Sequence, residues 1–149
     1  MDYRKYNDTY FIRMDKGDEI IKKIHEVCRK EHIKSAIYSG IGGCSGAEIQ
    51  TFIPDKGIFE TEELCGMLEL VSLNGNIICD EEGQLFHHTH AVLSYKKDGA
   101  HGMSGGHIKS LTVLYTAEIE LRPVIGGTIS RKYDPETGTG LWDFNLQRR

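Results

Sequence analysis

One segment of this chain has a helical period, and no later segment repeats it. In KGDEIIKKIHEVCRKEHI, which starts at Lys16, the apolar residues Ile20, Ile24, Val27 and Cys28 fall on one face, while Lys22, Lys23, Arg29 and Lys30 face outward or flank it. With Asp18 as a plausible cap, the pattern predicts a helix over roughly residues 18 to 31. The basic residues read as its solvated face. TYFIRM (9–14) alternates before the helix and predicts a first strand. Everything after the helix reads as strands and turns: SAIYSGIG (35–42), AEIQTFI (47–53), GMLELVSLNGNIIC (66–79), FHHTHAVLSY (86–95), LTVLYTAEIEL (111–121) and a short pair around TISRKY and GLWDF. Asn74-Gly75, set between apolar runs, predicts a hairpin turn. One helix followed by many strands is an α+β plan with a mainly antiparallel sheet, and the missing strand–helix alternation excludes a Rossmann fold.

The 149 residues, taken as a single domain over 1–149, suffice to bury a core without disulfides or metals. Disorder is expected only at the ends. The four cysteines, Cys28, Cys44, Cys65 and Cys79, form no CxxC pair, which excludes a zinc ribbon and a dithiol redox motif; they are expected to be reduced, small and buried. MDYRKYNDTY has no apolar signal-peptide core, and nowhere do about 18 apolar residues run together, so a soluble, cytoplasmic protein with no membrane partner is expected. The formal charge of −4 counts against simple binding to phosphate backbones, which depends on clustered Lys and Arg.

Five of the seven histidines lie between residues 87 and 107. A strand sends residues i and i+2 to one face about 7 Å apart, so His88 and His90 can converge on one ion, with His87 and Thr89 on the opposite face. His107 is the natural third ligand, because Gly105 and Gly106 before it permit close backbone approach or positive φ. Three imidazoles with a fourth position open to water or a ligand describe a zinc-type site. His101, in KKDGAHGMSGG, is expected in an exposed loop; His25 and His32 are expected to be surface or boundary residues. Glu69 is the candidate carboxylate for proton transfer or support of a ligand, the alternative being a solvated face with Leu68 and Leu70 on the core side.

The glycine cluster SGIGGCSGAE (39–48) is not a dinucleotide fingerprint, since Ser45 stands where the next glycine is required and a strand follows where a helix should begin. Its glycines fit a bend between two strands, or close packing against another subunit. PETGTG (135–140) reads as a turn with no evident chemistry.

In this order, IYSGIGGCSGAE, LELVSLNGNI, HHTHAVLS, GGH, TAEIEL and RKYDPETG resemble the plant and prokaryote conserved (PPC) domain family over roughly Tyr10 to Leu141. The most specific part is His88-x-His90 followed by Gly105-Gly106-His107, supported by Glu69. The resemblance implies curved, mainly antiparallel sheets with one principal helix, assembly as a homotrimer, and a fold similar to α-acetolactate decarboxylase, which uses a three-histidine metal site. Prokaryotic members are described as predicted DNA-binding proteins. In plants the domain accompanies AT-hooks with an Arg-Gly-Arg-Pro core, which this sequence lacks. Where the family commonly has proline before the histidine pair, this chain has His87, which either brings an imidazole to the rim or occupies the opposite face.

Two functional readings follow. In the first, His88, His90 and His107 hold a divalent metal, zinc by ligand type though imidazoles also suit nickel, copper and iron; lyase or hydrolase chemistry on a small-molecule ligand is then open, the metal polarising a carbonyl or activating water. In the second, the chain is a DNA-associated regulatory or protein-interaction module in which metal is structural or absent. A soluble trimer with ordinary surface histidines is the bland alternative.

Overall fold

A computed structural model describes residues 1–80 and 82–144 of the chain. The order is β1 (Asp2–Tyr6), β2 (Thr9–Asp15), α1 (Ile20–Lys30), β3 (Ala36–Ile53), β4 (Ile58–Cys79), β5 (Leu85–Lys97), β6 (Ala100–Pro123), β7 (Ser130–Asp134) and β8 (Thr139–Asp143). This is the expected α+β plan, and every pairing between these strands is antiparallel. The main sheet runs β1-β2-β6-β3-β4-β5, and β6 also pairs with β5. Since β3 and β5 each pair with both β4 and β6, the four long strands curve until the sheet returns on itself. No described helix is long and apolar enough to cross a membrane.

The core forms where the stripe of α1 meets the inner faces of the strands. Ile20, Ile24, Val27 and Cys28 are buried together with Tyr10, Ile12 and Met14 of β2 and with Leu111, Val113, Ala117, Ile119 and Leu121 of β6. Burial pushes the thiols of Cys28 and Cys44 up to about 12, which makes them inert packing groups. All four cysteines are free, but Cys65 is exposed, contrary to expectation.

The cap of α1 is Glu19, not Asp18. Glu19 accepts hydrogen bonds from the backbone N–H groups of Ile21 (3.3 Å) and Lys22 (2.7 Å) and from that of Leu111 in β6 (3.0 Å). The Asp18 carboxylate is engaged one step earlier, accepting from the Asp15 N–H at 2.9 Å. At the other end His32 has φ +56° and the Ile33 N–H donates to the Cys28 carbonyl at 2.8 Å, a Schellman-type closure in which His32 takes the position usually given to glycine.

Three expectations about strands are corrected. Asn74-Gly75 makes no turn: both lie inside the continuous β4, and Gly75 serves because a Cβ there would collide with the Tyr38 ring and the His88 carbonyl. The glycine cluster does not separate two strands; it lies within β3 and bends it through register shifts at Gly40/Gly42 and Cys44/Gly46, with Gly40 and Gly42 against the β6 backbone of the same chain. KKDGAHGMSGG is no long loop, because β5 and β6 form a hairpin whose last pair is Lys97 with Ala100. The N-terminal residues, to which the sequence assigned no element, form strand β1.

Candidate metal centre

The β5–β6 register places His90 directly opposite His107. His107 is also the first residue of β6 paired to β3, opposite Gln50, so it sits where β6 passes from one partner strand to the other. A Cβ on Gly105 would collide with the Ala91 carbonyl, so the close strand approach expected ahead of the third histidine is present.

One ring nitrogen from each of His88, His90 and His107 lies within 4.8 Å of the others. The ring centroids are 5.0 Å apart for His88 and His90, 5.2 Å for His88 and His107, and 5.5 Å for His90 and His107. A tetrahedral ion at zinc–nitrogen distances holds its nitrogens about 3.4 Å apart, so loading requires a contraction of at most about 1.4 Å. Partial burial and the neighbouring charges of His90 and Arg131 lower the proton affinity of His88; burial followed by His88 and His90 lowers that of His107. Both shifts favour the neutral imidazole, which is the form that ligates metal.

The opposite face of β5 anchors the site. Thr89 is fully buried; its hydroxyl meets the Tyr38 hydroxyl and lies 2.9 Å from His87 Nδ1. The His87 ring packs edge-on to His25 of α1 at 5.8 Å. His87 therefore packs against Thr89 and His25 on the other face of β5 while also contributing to the lining of the cleft, and His25 is a boundary residue as expected. His101, paired with Lys96, is exposed and not part of the triad.

The triad opens into a cleft of about 810 Å³. Phe52 and Phe59, paired across the β3–β4 hairpin, form one wall, the Phe59 ring lying 5.8 Å from that of His107. Phe86, Arg131, Leu141 and Trp142 form another, the last three from the β7–β8 hairpin. None of this wall was anticipated from the sequence; PETGTG, read as a turn without chemistry, is indeed the turn that brings β8 to the cleft. The one available signal was Trp142, the single tryptophan of the chain. Glu69 is exposed, with Leu68 and Leu70 buried on either side, and pairs with Ser94. That position is four residues along β5 from His90, about 13 Å, and no carboxylate of a described residue lines the cleft.

The profile of the Plants and Prokaryotes Conserved (PCC) domain matches residues 1–125. The chain belongs to this family. A plant- and prokaryote-conserved protein of Pyrococcus horikoshii shares its fold with a TM-score of 0.79 and 33% identity, over 95% of this chain and 93% of that one. A metal-containing protein of Archaeoglobus fulgidus matches with a TM-score of 0.80 and 29% identity, over 96% and 99%. A Ralstonia eutropha protein, named provisionally as DNA-binding, matches with a TM-score of 0.85 and 26% identity, over 95% of each chain. No curated protein matches the sequence. The PPC-type resemblance of the sequence thus holds; the profile match begins at Met1, before Tyr10, and ends at residue 125, short of RKYDPETG and Leu141.

Proposed function

We propose that this PPC-family protein is a homotrimeric metal-binding domain in which His88, His90 and His107 hold one zinc-like divalent ion and leave a position open to water or a small ligand. The observation that carries the reading is the convergence of three ring nitrogens within 4.8 Å at the foot of a cleft. The Archaeoglobus relative, a metal-containing protein, supports it. When bound, such an ion polarises a carbonyl or acidifies a water. Within one chain Glu69 stands about 13 Å along the sheet from the triad, so the reading assigns the chemistry to the ion and the cleft and not to a carboxylate of the same chain. Support for self-association comes from apolar side chains on the outer face of the long strands: Ile41, Met103 and Tyr115 are 56%, 65% and 67% exposed, and Met67 and Tyr115 converge over Gly43.

The test is elemental analysis of tag-free, gel-filtered protein. About one ion per chain is expected, falling to a small fraction in His88→Ala and His90→Ala while both stay folded, and unchanged in His101→Ala. Metal-free wild type that resists reconstitution refutes the reading. The Ralstonia relative's provisional name favours a second reading, a DNA-associated module. It requires duplex binding that weakens steeply with salt, and the net charge of −4 makes a local basic patch necessary.

A further inference from the structure

The triad alone does not account for the β7–β8 hairpin, which lies beyond the residues matched by the family profile and yet forms one wall of the cleft. That hairpin contributes Arg131, the single Lys or Arg among the described residues lining the cleft. Its guanidinium carbon sits 4.9 Å above the centroid of the Phe86 ring. Across the hairpin its Nε, Cζ and Cδ lie over Gly140, so a side chain at that position would displace the guanidinium. Among the described residues, Arg131 forms no ion pair.

An exposed guanidinium seated over an aromatic ring, with no described carboxylate as partner, presents a fork of donors that matches a carboxylate. The rest of the wall decides the kind of anion. Phe52, Phe59, Phe86, Leu141 and Trp142 are apolar or aromatic, Gln50, Thr51 and Thr139 add neutral polar groups, and a single cation serves the cleft beyond the imidazoles. One positive charge amid aromatic surface suits one negative charge on an apolar body; a phosphate dianion would call for more donors. The volume of about 810 Å³ accommodates such a molecule with room to spare.

We propose that the cleft recognises a small monocarboxylate with an aromatic-sized apolar body, Arg131 pairing with the carboxylate while the body lies against Phe52, Phe59 and Trp142 beside the ion held by the triad. The choice of ligand class rests on the metal reading only for the ligand's second attachment; the anion subsite belongs to Arg131.

Phenylpyruvate is a suitable probe, with phenylpyruvamide as its uncharged counterpart. Titration calorimetry on wild type, Arg131→Gln and Arg131→Lys is read alongside metal content and the ¹⁵N–H signal of the Trp142 indole. Expected are saturable binding by wild type, a loss of about tenfold or more in Arg131→Gln, partial recovery in Arg131→Lys, weak amide binding, and a Trp142 signal that moves on titration. Metal per subunit should be the same in all three proteins. Equal affinity in wild type and Arg131→Gln, amide binding as tight as that of the acid, or no phenylpyruvate binding by wild type overturns the proposal. Arg131-dependent binding by a wild type that carries no metal upholds the anion subsite and refutes the metal reading instead.

Discussion

Gly75 shows how one residue can carry two opposite meanings. Beside Asn74 it has the composition of a tight turn, but its backbone is extended within β4, and what matters is the missing side chain. The Tyr38 ring occupies that space, and its hydroxyl meets Thr89 on the face of β5 opposite His88 and His90. Gly75→Ala therefore pushes on the support beneath the triad. It should cost about 1–3 kcal/mol in urea unfolding by overpacking and should weaken metal retention; an unchanged midpoint would mean that Tyr38 moves aside freely. The three histidines were legible because strand geometry is strictly local: residues i and i+2 share a face wherever the strand lies. Arg131 was not, because nothing near it in the sequence says which part of the sheet its hairpin will cover.

Among the elements, α1 was the most legible, because its stripe repeats at the helical period over the whole segment. Its start was misplaced by one residue for a tertiary reason. Asp18 and Glu19 both precede the apolar run, and the cap falls to the one whose carboxylate also accepts the Leu111 N–H from β6. Glu19→Ala should accordingly cost more than an ordinary cap, about 2 kcal/mol, since it frees helix donors and leaves a part-buried strand N–H without its partner. Equilibrium unfolding of the variant measures this, and a loss of only a few tenths would make Glu19 a minor cap. Strand β1 escaped notice because, of its five residues, only Tyr3 is even partly buried, so no alternation marks it.

At the scale of the molecule, the deciding event is the return of the long strands on themselves. β6 runs 24 residues, pairing with β5 over its first part and with β3 beyond it, and His107 lies at the exchange. That curvature turns a flat His-x-His pair into a three-sided site. The outer surface left by the same curvature carries Ile41, Met103 and Tyr115. Light scattering coupled to gel filtration should give the mass of three chains, and Tyr115→Glu should shift it toward one; a wild-type monomer at micromolar concentration would remove the trimer from the proposed function.

By itself, the sequence determined the α+β class, the helix, most of the strands and the three histidines, because periodicity and i, i+2 geometry act within a few residues. It also carried the family resemblance. The tertiary structure alone decided that the glycines of β3 and β4 serve close packing, that Glu69 lies well away from the triad, and that Phe52, Phe59, Arg131 and Trp142 surround the cleft. Those outcomes depend on which segments meet, and strand pairing across tens of residues is set by the packing of the whole sheet, to which no short window of sequence has access.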